Sequence, residues 1–219
     1  MTDSVEYQFV KSKFLGDKGD KTFRNKRQGG VVQFLLQNAG GAGNFVPEIV
    51  EIAKIYNPIV YSKFEGECQR MIEKNMSSTD PAFRPLKSNE MFRFLFHGTQ
   101  QTDPQLIYNS EDGLDLRFAR DGLMGRGIYF AEDSAYSHDY SHYIQDLNLH
   151  QMFFAVVNIG RYKPYPQPDQ TLKMPPLLEG SKTRRYDSCY NKGAKHFIIY
   201  DNSKQYPGYL ITYRNALEK

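Results

Sequence analysis

The 219-residue sequence has no tryptophan, only two cysteines, no long apolar run and almost no excess charge. Cys68 and Cys189 are too few for a disulfide framework or a cysteine-rich zinc module, so a reducing compartment is the simpler setting. No stretch approaches the ~20 apolar residues that span a bilayer. The opening Met1-Thr2-Asp3-Ser4-Val5-Glu6 lacks both the charged and the apolar region of a secretory signal. An intracellular protein, cytoplasmic or nuclear and without membrane association, is expected. The net charge of +3 selects no class of partner. In place of Trp stand 16 Tyr and 15 Phe, residues that suit a pleated surface and point to a sheet-rich core. A hydrophobic content of 40% excludes a wholly disordered chain, and the length suits one domain, expected to be monomeric.

The charge is unevenly placed. Lys11, Lys13, Lys18, Lys21, Arg24, Lys26 and Arg27 cluster against Asp17 and Asp20, with Gly16, Gly19, Gly29 and Gly30 among them. Together with the glycine-rich stretch at 38–44, this divides the chain into residues 1–46, an N-terminal strand followed by a basic and glycine-rich insertion, and 47–219, a folded domain. The insertion reads as solvated and mobile. Its sharper reading is an arm that binds phosphate or nucleic acid.

Pro47 opens an expected helix in which Ile49, Ile52 and Tyr56 share a stripe, stopped at Asn57-Pro58. A second helix carries Val60, Phe64, Cys68 and Met71 at helical spacing. The segment 76–89 reads as a loop. Short aromatic and β-branched runs then follow at 92–96, 128–131, 152–159, 197–200 and 209–213, and they read as strands. One helix, from 134 to about 143, interrupts them. Helices ahead of a mostly antiparallel sheet make an α+β arrangement.

Three places carry candidate chemistry. The glycines at 122, 125 and 127 run into a strand and not into a helix N-terminus, so a Rossmann phosphate loop is disfavoured. Strand alternation puts Gly127, Tyr129 and Ala131 on one face. Two minimal side chains beside an aromatic ring make either a slot for a flat ligand or a close packing contact. On the helix after it, Tyr136, Ser137 and Tyr140 share a face. That face presents a hydroxyl and two rings, or simply a half-buried tyrosine helix. His138 and His142 are spaced for a metal, but Asp139 is too short to replace the zincin Glu and a third ligand is lacking, so no metal is expected. The strand at 92–96 ends in His97-Gly98-Thr99, an imidazole beside accessible main chain.

Taken in order, His97-Gly98-Thr99, the Gly-Arg-Gly-Ile-Tyr-Phe-Ala run ending at Ala131, Ser137 with Tyr140, Tyr186-Asp187-Ser188 and the segment from Gln205 to Ile211 resemble the catalytic domain of the poly(ADP-ribose) polymerase family. Tyr136 to Ser141 is most similar to its mono-ADP-ribosylating branch. The resemblance covers 92–213 almost without a break, and Asn57-Pro58 with the helix after it matches weakly. It implies the diphtheria-toxin-like ADP-ribosyltransferase fold, a split, mostly antiparallel sheet around a cleft for NAD+ as co-substrate. It also implies roles. His97 would bond the adenosine-side ribose. Gly98 would clamp the nicotinamide amide through its main chain, helped by Ser137. Tyr129 and Tyr140 would sandwich the nicotinamide ring. Arg117, in a loop from Gly113 to Gly125 over the cofactor, would contact pyrophosphate or adenosine.

One departure is informative. Counting back from Tyr209 to the position where polymerising members carry a catalytic Glu lands on His196, with no acidic neighbour. Transfer of single units is therefore expected, to Glu or Asp side chains of an acceptor protein that brings its own carboxylate, and self-modification is one such route. His196 either accepts a hydrogen bond from the ribose in place of Glu or is an inert residue at the cleft edge. Competing readings are an inert interaction module, an NAD+ hydrolase and a transferase acting on nucleic acid. The presence of both His97 and Tyr129 favours the transferase over the inert module.

Overall fold

A computed structural model describes residues 4–24, 44–76 and 84–215. The expected features at Lys26, Arg27, 38–43 and 77–81 lie outside them.

The first element is a helix, not the expected strand. Helix α1 (Val5–Leu15) is capped by Ser4, whose Oγ accepts from the Tyr7 N–H at 3.0 Å. It buries Val10, Phe14 and Leu15. Ion pairs dock the start of this helix and the segment after it. Glu6 pairs with Lys54 at 2.8 Å and accepts from the Tyr209 hydroxyl. Lys21 pairs with Asp133 at 3.2 Å and bonds Ser134 at 3.1 Å. Of the expected mobile insertion, residues 11–24 are thus part of the packed domain, because Phe14 and Phe23 supply apolar surface that outweighs the solvation of their charged neighbours. Strand β1 (Phe23–Arg24) pairs with β2 (Asn44–Phe45).

The expected helix at Pro47 is instead strand β3 (Pro47–Lys54), antiparallel to the last strand of the chain. The pairing puts Glu51 opposite Thr212 and Ile49 opposite Tyr213, so Val50 is an extra, bulged residue. A bulge shifts alternation by one place, which brings Ile49 and Ile52 to one apolar cluster. Their spacing of three therefore imitates a helix stripe. Helix α2 (Pro58–Met76) follows as expected, with Val60, Phe64 and Met71 buried. Within the expected loop lies one short helix, α3 (Ser88–Met91).

The remaining strands come where aromatic and β-branched residues concentrate. They are β4 (Phe92–His97), the hairpin β5 (Asp121–Gly122) and β6 (Gly125–Arg126), β7 (Ile128–Ala131), β8 (His142–Ile144), β9 (Leu149–Asn158), β10 (Tyr162–Tyr165), β11 (Ser188–Asn191), β12 (His196–Ile199) and β13 (Gln205–Asn215). Between them lie the short helices α4 (Pro104–Tyr108) and α5 (Ser134–His138). The main sheet runs β10-β11-β12-β7-β4-β9-β13-β3, with β8 added at β9, and every pair except β10/β11 is antiparallel. Alternate residues feed two cores. Leu95, Phe153 and Leu210 enter one. Phe96, Phe154 and Ile211 enter the other, which α1 covers.

The seam that matters for function is β4/β7. Strand β4 matches β9 at six positions but touches β7 at one, Phe96 opposite Ala131. Beyond that pair the two strands part, and the sheet opens into a cleft.

Candidate active site

The opening of the seam is built by His97 and Gly98. Where β4 and β7 cease to pair, the His97 ring takes over, its Nδ1 lying 2.8 Å from the Tyr129 carbonyl oxygen. A carbonyl only accepts, so Nδ1 carries the proton and Nε2 keeps a bare lone pair. Burial lowers the pKa of the imidazole and keeps it neutral, although its bond to Tyr129 acts the other way. Gly98 is required for space. A Cβ there would overlap the Tyr140 main-chain carbonyl, and Gln100 N–H donates to that same oxygen at 2.8 Å. The His-Gly pair thus brings the end of β4 against the turn after α5.

That turn explains why the helix expected to reach about 143 ends at His138. Tyr140 and Ser141 N–H groups donate to the carbonyls of Ser137 and His138 in a tightened turn, and the chain then joins the sheet as β8. Ser137 is buried, 3% exposed, and no described residue engages its hydroxyl. Tyr140 is partly exposed and stacks on Tyr136, centroids 5.6 Å apart and hydroxyls 3.3 Å apart.

Tyr129 is held at its phenol end. Its hydroxyl accepts from Met124 N–H at 2.8 Å and donates to the Gly125 carbonyl at 2.7 Å. Gly122 leaves room for it, since a Cβ there would lie 2.7 Å from the Tyr129 oxygen. The glycines therefore form a collar around a tyrosine hydroxyl. Gly127 is the close packing contact: a Cβ would overlap the Ile198 side chain of β12.

His196 opens β12, opposite Ala131. It is 5% exposed, and neither ring nitrogen bonds a described residue. Its ring meets Tyr136 edge-on, with centroids 4.1 Å apart, and lies 6.4 Å from Tyr129. Burial lowers its pKa to about 4, so the imidazole is neutral.

Arg117 is exposed and already paired, 2.6 Å from both Asp112 and Asp115, and its guanidinium lowers the Asp115 pKa to about 2. Arg120 is exposed and has no described partner. The sequence reading overlooked it, although its charge three residues beyond Arg117 was visible.

His97, Gly98, Arg117, Arg120, Tyr129, Ser137, Tyr140 and His196 all line one cleft of about 1280 Å³, larger than a typical small-ligand pocket of ~300–1,000 Å³. His138 and His142 do not act together. His138 is buried against the Tyr213 hydroxyl at 2.7 Å, whereas His142 Nδ1 lies 2.9 Å from the Gln100 carbonyl oxygen. Among the described residues no group of three or more His, Cys, Asp or Glu is placed to hold a metal.

The Poly(ADP-ribose) polymerase catalytic domain family model matches residues 29–215. The chain belongs to this family, whose catalytic domains use NAD+ as co-substrate. Among curated proteins it is 34% identical over 172 residues to a probable poly [ADP-ribose] polymerase of Dictyostelium discoideum, covering 78% of this chain and 45% of that protein. It is 35% identical over 130 residues to the mouse protein mono-ADP-ribosyltransferase PARP12, covering 57% of this chain and 17% of that protein. Mouse protein mono-ADP-ribosyltransferase PARP11 is 30% identical over 141 residues, covering 55% and 42%. These similarities support the mono-ADP-ribosyltransferase branch, and the chain spans less than half the length of each of these relatives.

The residues present suit NAD+. A bare imidazole nitrogen at His97, an unengaged Ser137 hydroxyl, a neutral unpartnered His196 and the tyrosines of one cleft match a ligand with hydroxyls, an amide and a flat ring.

Proposed function

We propose that this domain is an NAD+-dependent protein mono-ADP-ribosyltransferase, moving single ADP-ribose units to Glu or Asp side chains with release of nicotinamide. The observation that carries the reading is the imidazole of His196 at the strand start where polymerising members hold a carboxylate, in the same cleft as His97 and Tyr129.

Bound NAD+ supplies a cationic leaving group whose departure leaves an oxocarbenium-like ribose carbon. His97 Nε2 accepts from a ribose hydroxyl and fixes the adenosine end. Tyr129, anchored by its collar, and Tyr140 flank the pyridinium ring. Ser137 and the Gly98 main chain hold its amide. Such positioning contributes on the order of 7–11 kcal/mol in well-oriented reactions. The neutral His196 accepts from a hydroxyl of the nearer ribose without drawing a proton from solvent. An acceptor carboxylate, with an ordinary pKa of about 4, is already ionised at neutral pH and needs no base from the protein. An acceptor Ser or Lys would need one.

Incubation with labelled NAD+ followed by electrophoresis and mass spectrometry tests this reading. A discrete band carrying one ADP-ribose per site on Glu or Asp, released by neutral hydroxylamine as an ester is, is expected. A high-mass smear would overturn single-unit transfer. Nicotinamide release without label on protein would make the domain a hydrolase, and the lack of any NAD+ binding at millimolar concentration would make it an inert module.

A further inference from the structure

A chain of hydrogen bonds starts outside the cleft and ends on its central ring. The Tyr200 hydroxyl donates to the Met124 carbonyl at 2.7 Å. The Met124 N–H donates to the Tyr129 hydroxyl at 2.8 Å, and that hydroxyl donates to the Gly125 carbonyl at 2.7 Å. Met124 is fully buried with Cys189 and Ile198, and Tyr129, Leu172 and Tyr200 pack around it. Gly125 has φ +68° and presses on the Leu172 main chain, where a Cβ would overlap the carbonyl. The turn Gly122–Gly125 is therefore fixed from below by Tyr200, from the side by Leu172 and from within by Met124. Toward the cleft it grips the Tyr129 hydroxyl, while Gly122 and Leu123 line the wall.

We infer that Tyr200 is a positioning residue for Tyr129: by holding the Met124 main chain it sets the ring plane on which the nicotinamide end of the ligand stacks. The inference rests on the proposed transferase reading. Both phenols stay protonated, since burial raises both pKa values above that of free tyrosine, and so both can donate. Tyr200 does not line the cleft, so it reaches a ligand through Tyr129 and not by direct contact.

Calorimetry with two probes separates this role from general stabilisation. In Tyr200→Phe, nicotinamide binding is expected to weaken about three- to tenfold, the range of one lost hydrogen bond, while ADP-ribose affinity stays within about twofold of wild type. Tyr129→Phe, which removes the other end of the chain and keeps the ring, should give the same signature. The double variant should be no weaker than Tyr129→Phe alone, because both changes cut one chain. Unchanged nicotinamide affinity in Tyr200→Phe, an equal loss for both probes, or additive effects would overturn the inference. If Tyr200→Phe fails to fold, Tyr129→Phe decides alone: weakened nicotinamide binding with intact ADP-ribose binding supports the collar, and any other result overturns it. A wild-type chain that binds no nicotinamide overturns the transferase reading and this inference together, whereas one whose binding is indifferent to Tyr200 overturns only the inference.

Discussion

Two clusters of buried polar groups differ in how they are satisfied. Asp187 is 1% exposed and both of its carboxylate oxygens are engaged. Its carboxylate accepts from Lys74 Nζ, from Asn75 Nδ2 at 3.1 Å and from the Arg161 N–H at 2.8 Å. Its own carbonyl accepts from the buried Lys204 Nζ at 2.8 Å, and its N–H donates to Arg161 O at 2.7 Å. Ser188 beside it donates to Ile159 O at 2.7 Å. In the cleft, the Nε2 of His97, the Ser137 hydroxyl and both nitrogens of His196 have no described partner. Most buried polar atoms that serve folding are paired, because an unpaired one is destabilising by about 1–3 kcal/mol; Asn158 and the Gln205 Oε1 are exceptions outside the cleft. The Asp187 cluster ties α2 to β10 and β11, whereas the cleft keeps its hydrogen-bonding capacity for a ligand.

The sharpest way to break this contrast is to cut the closed cluster. Asp187→Ala removes the carboxylate shared by Asn75, the Arg161 N–H and Lys74 and leaves Lys74 only the Arg185 carbonyl and Asn75 only the Met71 sulfur, a loss of about 3–5 kcal/mol by comparison with other broken buried ion pairs. Urea denaturation should show it, with NAD+ affinity of the folded fraction unchanged. A loss below about 1 kcal/mol would mean that the cluster is no more structural than a surface ion pair.

The open cluster should respond with the opposite sign. His196→Leu removes a buried unsatisfied nitrogen, Nε2, so stability holds or rises by about 1 kcal/mol, while transferase turnover falls. The pH dependence sharpens this. The folded His196 has a pKa of about 4 against an ordinary 6.5. Below pH 6.5 the unfolded chain takes up a proton that the folded imidazole refuses. Wild-type stability is therefore complete above about 6.5 and is lost progressively as pH falls toward 4, by about 2 kcal/mol at pH 5 from this residue. His97, also lowered by burial, acts in the same direction. The drop in Tm between pH 7 and pH 5 should be smaller in His196→Leu than in wild type, and an equal drop would show that His196 is not held neutral by burial.

Much of this contrast could be read before the structure. Period-two runs of Phe, Tyr and Ile located β4, β7, β9, β12 and β13 to within a few residues, because aromatic alternation leaves few other folds. The seven expected site residues share one cleft, contributed by the ends of β4 and β12, by β7, by α5 and the turn after it, and by the segment that holds Arg117. What escaped was set by contacts between distant segments. Val50 bulges only because β13 pairs with β3, and a bulge is indistinguishable from a helical stripe in sequence. Helix α1 carries Lys11 and Lys13 beside its apolar face, and the packing of that face depends on Phe23 and Tyr213. Tyr200 was within reach, since it falls at period two from His196 and Ile198, on the face that meets Tyr129. Asp187 was read only as part of a family motif, and its role as a packing hub appears when Lys74 and Lys204, far apart in sequence, converge on it.

The smallest effects belong to the cleft's charged rim, where the same contrast recurs between two arginines. Arg117 is pinned by Asp112 and Asp115, whereas Arg120 has no described partner. A ligand pyrophosphate has to compete with two carboxylates for the first and with water alone for the second. Both guanidinium groups are exposed, so screening keeps either effect small. Arg120→Ala is expected to weaken NAD+ binding about two- to fivefold at low salt and less at 0.5 M, and Arg117→Ala to change it by less than about twofold. Calorimetry at two ionic strengths measures both. If Arg117 proved the larger, the ligand would have to pull its guanidinium off Asp112 and Asp115. Replacing Asp112 by Asn should then strengthen binding, because it removes one of the two carboxylates that hold that cation.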